Sequence, residues 1–173
     1  AEPGIIFWDT MREYHNVEYA NQLTSTNPCG EQPLASYTAC NLGNLNLVQF
    51  VRDGSFDYED LAESAAVATR FLDDVIDYNM DSHALPKIRD AVESDRRVGL
   101  GITGLGDALV KMGLRYDSDE ALDAVEKMMQ TICYYSYETS IDLAQEKGAF
   151  SLFDWEGVSQ SKFVQSLPKS IQN

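Results

Sequence analysis

Residues 27–33 read Asn-Pro-Cys-Gly-Glu-Gln-Pro, and residues 37–43 read Tyr-Thr-Ala-Cys-Asn-Leu-Gly. The density of proline, glycine and asparagine argues against an ordinary helix in this part of the chain. Pro28 has a restricted φ angle, and Gly30 permits a sharp turn directly after the sulfur of Cys29. The sequence therefore predicts a tight loop with a cysteine at its tip, from which the rest of the chain can be interpreted.

Three polar side chains alternate along this loop. If the loop is locally extended, Asn27, Cys29 and Glu31 lie on the same side of the chain and face one cavity. A thiol, an amide and a carboxylate in one small volume are suited to catalysis. The alternative from spacing alone is a surface turn that carries a cysteine without a chemical role, because no general motif matches the segment.

The loop resembles the finger loop of the large catalytic chain of ribonucleotide reductases. The resemblance rests on Asn-Pro-Cys-Gly-Glu at 27–31 and on Ala-Cys-Asn-Leu-Gly-Asn-Leu-Asn-Leu at 39–47. A second motif in the family's order, Arg-Arg-Val-Gly-Leu-Gly-Ile-Thr-Gly-Leu-Gly-Asp, occupies 96–107. The similarity runs from about residue 3 to residue 168. The short interval between the two cysteines is most similar to the adenosylcobalamin-dependent class of the family.

The resemblance implies a fold and an activity. The expected fold is helix-rich α/β, a section of the ten-stranded α/β barrel of these enzymes with the cysteine loop entering its centre. Residues 1–173 are predicted to be a single fragment of that catalytic barrel domain. The implied activity is reduction of ribonucleotides to 2′-deoxyribonucleotides by thiyl-radical chemistry.

The resemblance also implies a role for each polar residue of the loop. Cys29 matches the cysteine whose thiyl radical abstracts the 3′-hydrogen of the substrate. Glu31 matches the carboxylate that acts as a general base at the 3′-hydroxyl, and Asn27 matches the amide that orients the ribose hydroxyls. Cys40 matches one of two thiols that supply the reducing electrons and end as a disulfide. The partner of that thiol belongs to an upstream strand that this sequence lacks, so the fragment is predicted to be inactive alone.

The implied partners are a ribonucleotide substrate, the remainder of the reductase chain and a second copy of the full enzyme. Adenosylcobalamin is the expected cofactor of the full enzyme, but the fragment alone is not expected to bind it. No residue that contacts cobalamin can be assigned from these motifs. Two alternatives stay open: a large subunit of the class that uses a separate radical-generating subunit, and a non-catalytic helical interaction module.

The composition limits the other functions. The chain has 173 residues with 28 acidic and 13 basic side chains, which gives a net charge of −15. Such an acidic chain is not expected to bind DNA or RNA, which require clustered lysine and arginine. The sequence contains no run of about 18 apolar residues, so no membrane span is predicted. Three cysteines without a recognisable signal peptide favour a reducing compartment, the cytoplasm.

Hydrophobic periodicity predicts two long helices. Asp57 should cap the first, from Tyr58 to about residue 79. The second should begin at residue 117 or 118 and end at Lys147, with Gly148 as its stop. The predicted buried face of the first comprises Leu61, Ala65, Ala68, Leu72, Val75 and Ile76. That of the second comprises Leu122, Val125, Met129, Ile132, Ser136, Thr139 and Leu143, with Cys133 as plain core beside it.

Shorter elements are predicted around these helices. Helices are expected from Pro86 through Val92, over 105–112 and over 159–166. Residues 41–51 should be a loop that becomes a short strand or the start of a helix, and the apolar residues 5–8 should open a strand or form the buried turn of a helix.

Two further features suggest chemistry less strongly. Residues 99–104 match the dinucleotide-binding pattern G-x-G-x-x-G, but the charged residues 93–97 before them cannot form the buried strand that the motif requires. We therefore expect no dinucleotide site but a short strand packed against the helix at 105–112. His15 and His83 are not at metal-ligand spacing, so no metal site is predicted. A conventional cysteine nucleophile activated by His15 or His83 is a second enzymatic hypothesis, although no family signature supports it.

Overall fold

The computed structural model describes residues 3–172, which alternate between helices and short strands. The helices are α1 (Trp8–Tyr14), α2 (Tyr58–Asn79), α3 (Pro86–Asp95), α4 (Leu105–Lys111), α5 (Asp119–Lys147), α6 (Trp155–Val158), α7 (Lys162–Ser166) and α8 (Lys169–Gln172). The strands are β1 (Leu23–Thr26), β2 (Pro33–Ala35), β3 (Asn41–Asn46), β4 (Val51–Arg52), β5 (Ser55–Phe56) and β6 (Val98–Thr103). Short 3-10 helices lie at Leu47–Phe50 and Met80–Ser82. The prediction of a helix-rich α/β chain is confirmed.

The chain divides into two compact units. The first comprises Ala1–Cys40, Met80–Arg97 and Ala149–Asn173, and the second comprises Asn41–Asn79 and Val98–Gly148. Each unit is therefore assembled from segments that are distant in sequence.

The second unit contains a parallel strand pair and two long helices. Strand β3 pairs with β6 from Asn41↔Val98 to Asn46↔Thr103 without a register shift. Parallel strands need a long crossover connection, and α2 lies in the connection between them. Helix α2 packs on α5 and on β3. The core of this unit combines the 3-10 helix, β5 and helices α2, α4 and α5 through Leu47, Phe50, Phe56, Leu61, Ala65, Ala108, Met128 and Ile132.

The long helices begin and end where the sequence predicts. The Asp57 carboxylate accepts the N–H of Asp60 at 3.0 Å, and the Ser118 hydroxyl accepts the N–H of Ala121 at 3.2 Å. Gly148 follows the last residue of α5. Four of the six residues predicted on the α2 stripe are buried, whereas Ala68 and Val75 are half-buried.

The predicted buried face of α5 is wrong in its first half. Leu122 is 61% exposed and Met129 is 41% exposed, whereas their neighbours Ala121 and Met128 are fully buried. The buried residues of α5 follow intervals of seven and four, which is one stripe on a helix: Ala121, Met128, Ile132, Thr139 and Leu143. The prediction favours the larger apolar side chains, although an alanine lets two helices approach closely. Cys133 is half-buried beside this stripe.

The first unit contains the β1–β2 hairpin and the shorter helices. Helix α1 contacts α7, and the buried Ser161 hydroxyl donates to the main-chain oxygen of Tyr14 at 3.1 Å. The prediction for residues 5–8 is wrong: Ile5, Ile6 and Phe7 precede α1 and are 84%, 51% and 73% exposed. Their apolar character suggests burial, but no element of the described chain covers them.

The remaining short elements differ in detail from their predictions. Residues 41–46 form strand β3 from the first residue, and a 3-10 helix follows before β4. The helix after Pro86 is confirmed as α3, and α4 ends within one residue of its predicted end. The helix predicted over 159–166 begins only at Lys162, because the Ser161 hydroxyl accepts the N–H of Phe163 at 3.2 Å and caps it there.

Candidate functional site

The candidate site lies in the first unit, on the hairpin formed by β1 and β2. The two strands pair antiparallel and end at Thr26↔Pro33. The six residues between them form the loop that carries Cys29. The main-chain N–H of Asn27 donates to the carbonyl of Gln32 at 3.1 Å and so closes the loop at its base.

The tip of the loop is a β-turn. The N–H of Gly30 donates to the carbonyl of Asn27 at 3.0 Å, which places Pro28 and Cys29 at the two central positions. Proline is favoured at the first central position of a β-turn, and glycine is favoured at the position after the second central residue. Gly30 has a φ of +84°, which few other residues adopt. The turn therefore explains why these three residues follow one another.

The geometry around the turn differs from the alternation that the sequence suggests. The loop is not extended, so period-two alternation does not determine which side chains meet. Instead, the turn brings its two ends together, and the side-chain amide of Asn27 donates a hydrogen bond to the Glu31 carboxylate. The amide oxygen of Asn27 accepts the N–H of Gln32 at 3.0 Å, which fixes the orientation of the amide. Asn27 and Glu31 thus meet as expected, although for another reason.

Cys29 lies at the exposed tip of this turn, between the amide and the carboxylate in sequence. Cys40 is half-buried five residues after β2. None of the three cysteines forms a disulfide within residues 3–172. Burial raises the pKa of the Cys40 thiol to about 11, with Asp95 and Glu31 acting in the same direction and the positive charge of Arg97 opposing them.

A partly buried polar cluster behind the hairpin, with Asp95 as its buried member, is not identified from the sequence. It consists of His15, Asn21, Asp95 and Arg97, all in the first unit. The side chain of Asp95 is only 1% exposed and that of Arg97 is 18% exposed. The sequence feature that could have indicated this cluster is the charged run at 93–97. In the sequence analysis, this run is used only to exclude a nucleotide-binding strand. Charged residues directly before a strand can be buried when they have partners.

The cluster is connected by specific contacts. The Arg97 guanidinium donates from Nη1 to the carbonyl of Pro33 at 3.0 Å. The Asn21 amide donates to Asp95 Oδ2 at 3.3 Å, and the same oxygen lies 3.9 Å from Arg97 Nε. Burial raises the pKa of Asp95 to about 6, and the charge of Arg97 opposes this shift.

His15 is part of this cluster and contacts Arg97 and the main chain of Asn21. Its Nε2 lies 3.1 Å from the carbonyl oxygen of Asn21. A carbonyl oxygen only accepts hydrogen bonds, so Nε2 carries the proton in this contact. Arg97 Nη2 lies 3.5 and 3.4 Å from the two ring nitrogens, so it stands over the face of the ring. Burial and the charge of Arg97 both lower the pKa of His15, which favours the neutral imidazole.

The glycine-rich motif at 99–104 has a structural explanation. Its first two glycines lie inside strand β6 and not in a turn after a strand, where the dinucleotide motif requires them. Gly104 has a φ of +71°, and a side chain at that position would overlap with Asn46. The helix that follows, α4, has seven residues. These features agree with the predicted packing of a short strand against a helix.

Three carboxylates on α2 lie close together. The ligand oxygens of Asp73, Asp74 and Asp77 are within 4.8 Å of one another. The ammonium of Lys147 lies among them, 2.8, 2.7 and 2.7 Å from the three side chains. Burial opposes the charged form of Lys147, but the hydrogen bonds to the three carboxylates outweigh it and raise its pKa. The ammonium of Lys147 therefore already occupies the centre of the cluster and offsets part of its negative charge.

Comparison with known proteins relates the whole chain to one family. The family model described as ribonucleotide reductase, barrel domain, matches residues 1–170. A vitamin B12-dependent ribonucleoside-diphosphate reductase of Mycobacterium tuberculosis is 39% identical over 169 residues, which cover 98% of this chain and 23% of the relative. The protein of the same name from Thermoplasma acidophilum is 42% identical over 160 residues, which cover 90% of this chain and 21% of the relative.

More distant relatives carry a different name. A ribonucleoside-diphosphate reductase subunit alpha of Chlamydia muridarum is 34% identical over 154 residues, which cover 84% of this chain and 14% of the relative. The chain thus spans between 14% and 23% of the length of these three relatives. Within residues 3–172, no helix is long and apolar enough to cross a membrane.

Proposed function

Because the chain belongs to the ribonucleotide reductase barrel-domain family, we propose that it is part of a reductase that converts ribonucleotides to 2′-deoxyribonucleotides. The observation that supports the proposal is the turn with Cys29 at its exposed tip, whose ends are joined by a hydrogen bond between the Asn27 amide and the Glu31 carboxylate. Its relatives are named as reductases of ribonucleoside diphosphates, which makes a diphosphate the proposed substrate.

In the first step of the proposed reaction, the exposed thiol of Cys29 acts as a radical. As a thiyl radical, Cys29 takes the hydrogen from C3′ of the ribose and becomes a thiol, which leaves the radical on the sugar. The Glu31 carboxylate accepts the proton of the 3′-hydroxyl, while the 2′-hydroxyl takes a proton from one thiol of the reducing pair and leaves as water. Asn27, oriented by the N–H of Gln32, offers a fixed amide for the ribose hydroxyls.

The second step requires two electrons, which a pair of thiols supplies. Cys40 is the member of the pair in this chain, and its partner belongs to another part of the reductase. The two thiols lose two electrons and two protons and become a disulfide. Cys29 then returns its hydrogen to C3′, which regenerates the thiyl radical.

Adenosylcobalamin fits this site as a source of the radical, but not as a ligand of the hairpin. The exposed position of Cys29 leaves its sulfur accessible to a group held by another part of the protein. When bound to the full enzyme, adenosylcobalamin would supply the radical chemistry that oxidises the thiol. The names of the relatives from Mycobacterium and Thermoplasma support this choice.

The remaining features of the whole protein belong to the same proposal. The chain would be one fragment of the ten-stranded catalytic barrel, with the hairpin as its finger loop. The rest of the reductase chain completes the site, and the full enzyme forms a homodimer. A cytoplasmic location agrees with thiols that must be kept reduced.

The proposal is tested by replacing each cysteine in the full-length protein. Cys29→Ser should abolish release of tritium from a ribonucleotide labelled at C3′, because a hydroxyl holds its hydrogen too strongly to replace a thiol. Cys40→Ser should retain 3′ chemistry but form no deoxynucleotide, since the thiol pair is broken. Cys133→Ser, on α5, is the matched control and should turn over normally. Normal turnover of the Cys29 and Cys40 variants would show that this hairpin is not the active loop.

The second candidate is a large subunit that depends on a separate radical-generating subunit. The similarity to the Chlamydia subunit alpha supports it. The same assay separates the two candidates, because the first requires only added adenosylcobalamin and an external reductant. Activity that is restored by a second protein subunit and not by adenosylcobalamin would favour the second candidate.

A further inference from the structure

The strand register brings Arg97 next to Cys40. Strands β3 and β6 begin their parallel pairing at Asn41↔Val98. Cys40 and Arg97 are each the residue directly before one of these strands, and both belong to the first unit. Neighbouring strands are about 5 Å apart, so the two backbones are separated by roughly that distance.

The guanidinium of Arg97 is held in place from three sides. Nη1 donates to the carbonyl of Pro33, the first residue after the loop of Cys29, at 3.0 Å. Nε lies 3.9 Å from Oδ2 of the buried Asp95. Nη2 stands over the ring of His15, within 3.5 Å of both ring nitrogens. A planar guanidinium can make such contacts in several directions, whereas the ammonium of a lysine cannot make them all at once.

This arrangement has no evident structural necessity. An isolated ion pair inside a protein stabilises little compared with apolar packing, because both charges lose their hydration. Here the pair is also imperfect, since Asp95 Oδ1 and Arg97 Nε are buried without a hydrogen-bond partner in the described chain. A half-buried and incompletely paired arginine is better explained by what its charge does to a neighbouring group.

We propose that Arg97 is a positioning residue for Cys40: the Pro33 carbonyl, Asp95 and His15 hold its guanidinium where its charge favours the thiolate of Cys40. The redox role of Cys40 rests on the proposed function, whereas the effect of Arg97 on this thiol does not. Asp95 has the opposite influence, so the two residues together determine how readily Cys40 loses its proton. The charged groups that act on Cys40 include Arg97, Asp95 and Glu31.

The experiment measures the alkylation of Cys40 by iodoacetamide in the full-length protein. The rate is followed between pH 8 and pH 10 for each cysteine separately by mass spectrometry of the digested protein. Only the thiolate reacts, so the rate reports its fraction. If the thiol becomes one unit less acidic, the thiolate fraction falls about tenfold, while its intrinsic reactivity rises about threefold, which slows alkylation roughly threefold.

The two partners should have effects of opposite sign. Arg97→Met should slow alkylation of Cys40 at least about threefold, because a nearby positive charge is lost. Arg97→Lys retains the charge and should remain within about twofold of the unmodified protein. Asp95→Asn should accelerate alkylation, because Asp95 is ionised at these pH values.

The matched control is Arg89→Met. Arg89 also belongs to the first unit, lies on α3 and has a side chain that is 49% exposed. Its replacement should leave the alkylation of Cys40 unchanged. General loosening of the fold cannot imitate the effect of Arg97→Met, because an exposed thiol is more acidic than Cys40 and would react faster.

The outcomes decide between the alternatives. Slower alkylation in Arg97→Met than in Arg89→Met supports the proposal, and equal or faster alkylation in the folded variant overturns it. If Arg97→Met does not fold, Arg97→Gln, which keeps a donor for the Pro33 carbonyl but not the charge, decides with the same two outcomes. Because alkylation needs no turnover, a protein that fails to reduce ribonucleotides would refute the proposed function without affecting this test.

Discussion

Replacing Gly104 by alanine should destabilise the segment around α4, although the substitution usually favours helices. Gly104 precedes α4 with φ +71° and ψ 18°. This left-handed conformation costs about 1–2 kcal/mol for a residue with a Cβ atom. The new Cβ would also lie 2.5 Å from the Asn46 side-chain oxygen and 2.9 Å from a Val48 methyl group, so those side chains must move.

The movement of Asn46 has its own consequence. Its Oδ1 accepts the N–H of Val48 at 3.3 Å and caps the 3-10 helix at Leu47–Phe50. Loss of a capping interaction costs roughly 0.5–1 kcal/mol. Together with the backbone strain, the expected destabilisation is about 1.5–3 kcal/mol. One factor of ten corresponds to about 1.4 kcal/mol, so local opening should become about 12- to 150-fold more frequent.

Hydrogen exchange of peptides from α4 in the full-length protein measures this opening. Gly106→Ala is the matched control, because Gly106 lies within α4 and no atom lies within 4 Å of the position that an added Cβ would occupy. Alanine there should slow exchange by about two- to fivefold, since glycine in a helix costs roughly 0.5–1 kcal/mol. The reasoning is refuted if both variants shift exchange in the same direction, or if Gly104→Ala accelerates it less than about threefold.

Three further predictions concern stability. Lys147→Met should lower the melting temperature more at low than at high salt, because three carboxylates lose their shared cation; an equal loss at both salt concentrations would contradict this. Ser118→Ala should destabilise α5 by about 1 kcal/mol, measured by exchange of its first amides, because the hydroxyl caps the N–H of Ala121; unchanged exchange would argue against the cap. Asp95 has a folded pKa raised from 3.8 to about 6, so its contribution to stability is complete below pH 3.8 and is lost as the pH rises through 6. The stability of Asp95→Asn relative to the unmodified protein, from denaturation at pH 4 and pH 7.5, should therefore increase with pH, and a constant difference would disprove this.

The helices are predictable because their signals are local. Asp57 and Ser118 bind N–H groups three residues away, and Gly148 ends α5, so each boundary depends on neighbours in sequence. The burial of α5 is less predictable, since it depends on which helix packs against it. Leu122 is apolar enough for either a core or a surface position, and only the packing partner determines that Ala121 is buried instead.

The candidate site also has some features that the local sequence predicts and others that it does not. The turn at Cys29 follows from Pro28 and Gly30, whose backbone preferences act within four residues. The contact between Asn27 and Glu31 is expected from the sequence, but the reason given there, period-two alternation, is wrong because the chain turns between them.

What the sequence by itself determined about this protein is the family, the helix boundaries and the turn that presents Cys29. Each depends on short-range order, either in the motif or in the backbone preferences of adjacent residues. Only the tertiary structure decided that Arg97 lies beside Cys40, because the parallel pairing of β3 with β6 joins residues 57 positions apart. Likewise, Asp95 and Arg97 of a charged run with the composition of a surface segment lose much of their exposure because Asn21, Pro33 and His15, which are distant in sequence, contact them.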